Sequence, residues 1–203
     1  MTKRLDALID LVCQQVDGRS LAVFRVLFGL IMAIAMARYI ANGWVEIHYV
    51  EPTFFFKFTG LEWVRVPSRT TLYILAYGIC ALSLCIAAGL FTRPALILFG
   101  CAFGYWEAMD VTNYLNHYVL VLLLTVQLAL TPCGNVWSLD NWRKKRPQVA
   151  TIPAWCLWLL RYQIAVVYFS AAIAKINSDW LLHGQPMGIW LASRGHLPII
   201  GWV

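Results

Sequence analysis

The chain has 203 residues and a mass of 23.1 kDa, is 61% hydrophobic and 13% charged, and has a mean hydropathy of +0.66; soluble domains run near about 45–50% apolar and about 25% charged. That balance excludes an ordinary soluble domain and predicts an all-α integral membrane protein. The net charge of +6 falls in short clusters between apolar runs rather than on one basic face, which excludes nucleic acid as the partner.

Residues 1–20 read as a cytoplasmic leader in which Leu5, Leu8, Ile9, Val12 and Val16 recur at helical spacing, the pattern of an amphipathic helix on a membrane surface. Leu21 to Ala41 is the first predicted span, with Arg25 and Arg38 near its ends, where basic side chains are expected to snorkel to the headgroups. A secretory leader is the competing reading, with Lys3, Arg4 and Arg19 ahead of the apolar run and Ala33-Ile34-Ala35 as a cleavage site; Arg25 inside the run argues against it. Gly43 to Arg69 interleaves Trp44, Tyr49, Phe54, Phe55, Phe56, Phe58 and Trp63 with charges, which suits an interfacial lid at the entrance for a lipid-soluble ligand or a plain aromatic belt.

Thr70 to Phe91 carries no charge and would rise about 33 Å as a helix, enough to cross the hydrocarbon core. Ala95 to Met109 is a shorter third span, Tyr114 to Thr131 a fourth that stops at Pro132 and Gly134, and Pro153 to Ala174 a fifth with proline in its first turn. Met187 to Val203 is broken by Arg194, Gly195 and Pro198, so residues 192–203 read as an incomplete C-terminal segment carrying at most the start of a sixth span. Basic residues near the span ends set the orientation. The leader, Arg93 after the second span, and Arg143-Lys144-Lys145-Arg146 after the fourth belong to the cytoplasmic side, which leaves Gly43–Arg69, Asp110 and the segment after Ala174 outside.

Polar residues inside spans are expensive and therefore candidates for function, with helix packing as the plain alternative. Arg161, Tyr168 and Lys175 are spaced by seven, within about 40° on one helical face and over about 21 Å, beside the small-residue run Ser170 to Ala174. Asn113, Asn116 and His117 cluster at the outer end of the fourth span, with Gln127 continuing the Asn116 face. His117 opens one span and Lys175 closes the next, so antiparallel neighbours place both at one depth. A desolvated lysine amine can act as a base, and a nearby histidine can exchange a proton or orient a substrate; a hydrogen-bonded interface histidine is the bland alternative. Cys13, Cys80, Cys85, Cys101, Cys133 and Cys156 lie mostly in apolar runs without zinc spacing and read as packing or lipid-facing thiols. Of His48, His117, His183 and His196, His117 alone falls within a predicted span, which disfavours a haem with paired axial ligands, and no metal is expected. Walker, G-x-S-x-G and dinucleotide fingerprints are absent.

Several segments together resemble a known family. Leu21-Ala22-Val23-Phe24-Arg25-Val26-Leu27-Phe28-Gly29 resembles the opening signature of the vitamin K-dependent γ-carboxylase-like proteins, also called the HTTM (horizontally transferred transmembrane) domain; Tyr114-Leu115-Asn116-His117 resembles its Asn-His motif. Leu160-Arg161-Tyr162-Gln163, Val167-Tyr168-Phe169 and Ala174-Lys175-Ile176-Asn177-Ser178-Asp179-Trp180 resemble its Leu-Arg-x-Gln, Val-Tyr-Phe and Lys-x-x-x-Asp-Trp segments, so the likeness runs in order through residues 21–191. The resemblance implies that Lys175 is the base toward reduced vitamin K or menaquinol, with O2 and CO2 as co-substrates and no metal. Oxygen addition then yields a strongly basic alkoxide that removes a γ-proton from a peptide glutamate, and the carbanion adds CO2 while the quinone becomes its epoxide. It further implies that His117 shares the catalytic site, that Asn116, Tyr168 and Tyr114 hold the quinone, and that Arg25, Arg161, Asp179 and Trp180 are structural, Arg161 as partner to a carboxylate such as Glu107 or to helix-end carbonyls. Peptide-modifying members run on past this length and carry two adjacent lysines where this chain has Ala174-Lys175, so the expectation includes a fragment retaining only the quinol half-reaction.

The rival expectation is a non-enzymatic quinone- or lipid-binding membrane protein. A small transporter is disfavoured, because no inverted repeat is visible.

Overall fold

The computed structural model describes residues 9–145 and 151–193. It divides into two compact units, residues 1–158 and 159–203.

In the first unit, helix α1 (Arg19–Ala41) packs along α2 (Arg69–Ala88), α2 along α3 (Thr92–Ala108), and α3 along α4 (Asn116–Leu130). Helices consecutive in the chain pack as neighbours, each burying one apolar stripe and leaving the other outward. The buried stripes meet in Leu21, Leu72, Ile79, Ile86, Leu96, Phe99, Met109 and Leu128, while Ile31, Ile34, Ile74, Ile97 and Leu98 stay exposed. Helices apolar on their outer faces suit a hydrocarbon solvent. Gly29 permits the close approach of α1 to α2: a Cβ there would lie 2.5 Å from the backbone of Ser83 and of Ala87. Phe28, Phe99 and Phe103 link α1 and α3 through an edge contact at 5.9 Å and a stack at 5.5 Å.

Among the described residues three helices are long and apolar enough to cross a membrane: α1, α2 and, further on, α6 (Trp155–Ala174). The predicted third and fourth spans are helices of 17 and 15 residues, rising about 26 and 23 Å. Both are shorter than the hydrocarbon core; α3 is nonetheless two residues longer than the predicted span, with Pro94 tolerated in its opening turn, and the chain enters α4 only after a 3-10 turn at Val111–Asn113.

Of the leader, residues 1–8, with Leu5 and Leu8, lie outside the described residues, and its end departs from expectation. Residues 9–13 are helical, but Gln15–Asp17 forms a strand, β1, paired antiparallel with β2 (Thr151–Pro153) so that Val16 faces Ile152. Pro153 therefore closes a strand rather than opening a span, and α6 begins two residues later. The short helix α5 (Leu139–Arg143) lies between α4 and β2.

Arg25 departs as well. It is 0% exposed and does not snorkel. Its guanidinium donates to the carbonyls of Cys133 (2.8 Å), Val136 (3.2 Å), Trp137 (2.6 Å) and Ala87 (3.4 Å). The end of α2 and the connection after α4 thus share one cation, which satisfies carbonyls that the helix ends leave open. Gly89 belongs to the same joint: its φ is +68°, and a Cβ there would lie 2.9 Å from an Arg25 nitrogen. Arg38, near the other end of α1, is exposed.

In the second unit α6 continues to Ala174 and is followed by the short helices α7 (Ser178–Leu181) and α8 (Gln185–Ala192). Of the C-terminal segment, residues 194–203 lie outside the described residues.

Candidate functional site

At one end of the first unit the connections between α1 and α2 and between α3 and α4 meet. Asp110, 5% exposed, ties them: one carboxylate oxygen accepts from the backbone N–H of Phe56 (3.3 Å) and of Thr112 (3.0 Å). The Val111 amide donates to the Phe56 carbonyl (2.9 Å), and the Lys57 ammonium donates to the Met109 carbonyl (2.7 Å). The aromatic loop is therefore fastened along residues 56 and 57, while Phe54, Phe56 and Trp63 remain mostly exposed.

Beneath the loop, Tyr39 contacts Trp44, His48 and Trp106 at 5.5–5.7 Å between ring centres, and its hydroxyl pairs with His48 Nδ1 at 2.7 Å. Tyr49 stacks edgewise on Trp106 at 5.0 Å, and burial raises its hydroxyl above the usual phenol range. Glu107, partly buried near the end of α3, lies near Tyr39, Tyr49 and Tyr118. Glu46 accepts from Arg69 Nε (2.7 Å) and from the Tyr73 hydroxyl (2.9 Å), joining the loop to the start of α2.

The sequence-derived residues of this unit stand at its edge. Tyr114 precedes α4 in extended backbone and meets the loop through Phe58, ring centres 6.1 Å apart. Asn116 and His117 open α4, both exposed. Among the described residues their side chains make no hydrogen bond, and the His117 ring lies against Tyr118 at 4.5 Å. The first turn of a helix has free N–H groups, so this corner offers unengaged donors and acceptors beside an aromatic wall.

The second unit holds the others. Arg161 and Tyr168 lie on α6, and Tyr168 is 73% exposed. Lys175 follows the last residue of α6 in a turn organised by Asn177, whose side-chain amide donates to the Ala174 carbonyl (3.1 Å) and whose carbonyl oxygen accepts from the Trp180 N–H (3.1 Å). That clip places the Lys175 ammonium 4.8 Å from the centre of the Trp180 ring, a cation–π distance. Asp179 is exposed in the first turn of α7, where a carboxylate complements the helix dipole.

Residues that sequence reasoning did not assign are Asp110, Lys57, Tyr39, His48 and Asn177. Asp110 and Asn177 carry a readable signal, an Asx residue just before a turn or helix. The Tyr39–His48 pair joins residues from two elements and carries none.

The fold and site define a mainly helical protein with, among the described residues, three helices long and apolar enough to cross a membrane. Residues 13–203 match the family model for the HTTM domain, so the chain belongs to the HTTM family. No solved structure matches it.

Proposed function

We propose that this protein is a multi-pass membrane enzyme of the vitamin K-dependent carboxylase type, acting on reduced vitamin K or menaquinol with O2 and CO2. The observation that carries the reading is the HTTM match over nearly the whole chain, a domain associated with vitamin K-dependent carboxylases. In this account α3 and α4 cross with α1, α2 and α6 to give five spans, the N-terminus is cytoplasmic, and the site opens on the exterior side.

A hydroquinone needs an aromatic slot, hydrogen-bond partners for its two oxygens and a base, and the residues fit that demand. Asn116 and His117 have side chains unengaged among the described residues, and Tyr114 and Tyr168 supply exposed rings. When bound, the quinol supplies the reducing equivalents for oxygenation and the strong base that carboxylation requires. Lys175 takes the hydroxyl proton at Nζ, and the Trp180 ring, 4.8 Å from that nitrogen, stabilises the ammonium that results. His117 and Asn116 orient the ring oxygens, and the loop fastened by Asp110 keeps water out. A peptide glutamate is the proposed carboxyl acceptor, with quinol oxygenation alone the narrower form of the same activity.

The test is epoxide formation from reduced vitamin K or menaquinol under O2 by the purified protein. Wild type is expected to form epoxide, and Lys175→Ala to reduce it at least a hundredfold, on the order of the contribution of a positioned base. Epoxide formed equally by both proteins, or by neither, contradicts the proposal.

A further inference from the structure

The end of the first unit opposite the Asp110 joint carries an unusual surface. Among the described residues three non-glycine residues have left-handed backbone, and all three belong to it: Phe91 (φ +46°), Trp137 (φ +49°) and Lys145 (φ +50°). A non-glycine residue stays there only when its surroundings hold it. Around Trp137 and the α2–α3 turn the holding groups are mostly buried. Arg25 grips the Trp137 and Val136 carbonyls at 2.6 and 3.2 Å; Ser138 Oγ donates to the Gly89 carbonyl (2.8 Å), and the Asp140 N–H donates to the same carbonyl (3.1 Å). The Thr92 N–H donates to the Asp140 carboxylate (3.2 Å).

What this strain presents is aromatic and basic. Phe91 and Trp137 are each 53% exposed and Trp142 is 76% exposed. Arg143 lies over the Phe91 ring, 4.7 Å from its centre, and Arg93, Lys144 and Lys145 are exposed beside it. The patch's one carboxylate, Asp140, is engaged by the Thr92 N–H and lies 3.9 Å from Arg143. Four exposed cations therefore share this end with three exposed rings, with no free carboxylate among the described residues of the patch.

We propose that this face, formed by the α2–α3 turn and α5, is a binding site for the headgroup of an acidic phospholipid. Aromatic rings settle at the level of the lipid carbonyls, while arginine and lysine reach the phosphates above them. Juxtamembrane cations attract anionic headgroups, and the charge balance here is one-sided. Arg25 supports the site from below: the cation buried in the joint sets the loop from which Trp137 projects.

The probe is brominated phosphatidylglycerol against brominated phosphatidylcholine, at equal mole fraction in bilayers holding the full chain, read by tryptophan quenching. Wild type is expected to favour phosphatidylglycerol, and the preference should fall about fivefold for each cation removed, so that Arg143→Gln/Lys144→Gln/Lys145→Gln together abolish it. Trp137→Phe/Trp142→Phe should remove most of the differential quenching. Raising salt from low to high should weaken the wild-type preference, a measurement that needs no variant and decides the matter if the variants misfold. Equal quenching by the two lipids, or a preference unmoved by salt or by the triple variant, overturns the proposal.

Discussion

At the scale of single residues, Arg25 shows how a charge in an apolar run is tolerated. Its four carbonyl partners come from α2 and from the connection after α4, so removing the cation leaves buried acceptors open in two elements at once. Arg25→Met should destabilise the fold by about 3–5 kcal/mol, seen as a lower thermal midpoint in detergent; an unchanged midpoint would contradict the role assigned to it. Cys133 in the same joint is buried, and desolvation raises its thiol pKa to about 11. Because the thiolate is the reactive form, only about one molecule in a thousand carries it at pH 8. A polar maleimide at pH 8 should therefore label exposed Cys13 and spare Cys133, with labelling of Cys133 rising as pH climbs toward 11. Mass mapping of the labelled protein checks both.

The sequence announces Arg25 as a charge near a span end but not where it goes. Snorkelling and burial begin from the same residue, and the choice rests on carbonyls more than 60 residues away that no local pattern connects. Asp110 was legible only as an acidic residue in a turn; its partner amide at Phe56 lies 54 residues back. Asn116, His117, Tyr168 and Lys175 were legible as polar residues at helical spacing in or beside apolar spans, and their roles through motif order. The structure adds that each is exposed within its own unit and that Asn177 clips the turn bearing Lys175.

At the scale of elements, the apolar runs were plain because helix periodicity and hydropathy are local properties, and all five predicted spans are helices. Their ends were less plain: α3 starts three residues ahead of the predicted Ala95, and a 3-10 turn delays the start of α4 to Asn116. The β1–β2 pairing joins residues 15–17 to 151–153, a contact invisible to any windowed pattern. Glycine offers a test at this scale. Gly29→Ala should cost about 1–3 kcal/mol by pushing α1 from α2, whereas Gly78→Ala, with open space around its Cβ, should be neutral or slightly stabilising. Thermal midpoints of the two variants compared with wild type decide it. For the loop, Asp110→Ala should release the amides of Phe56 and Thr112 to faster hydrogen exchange, with little change in the helices. Uniform exchange in that variant and wild type would remove Asp110 as the tie.

At the scale of the whole molecule, the proposed chemistry draws on residues of both units. Asn116, His117 and Tyr114 belong to the first unit, Tyr168 and Lys175 to the second, and quinol chemistry needs donors, rings and base within hydrogen-bond reach of one substrate. The most direct measurement is cross-linking of His117→Cys with Lys175→Cys, in a background without the native cysteines, by bis-maleimides of graded length in the membrane. The account predicts efficient closure by linkers of about 10 Å or less, the span of a bound quinol ring and its two partners, with protection by added menaquinone. Closure only by much longer linkers, unaffected by the quinone, would separate the two residues and contradict the shared site.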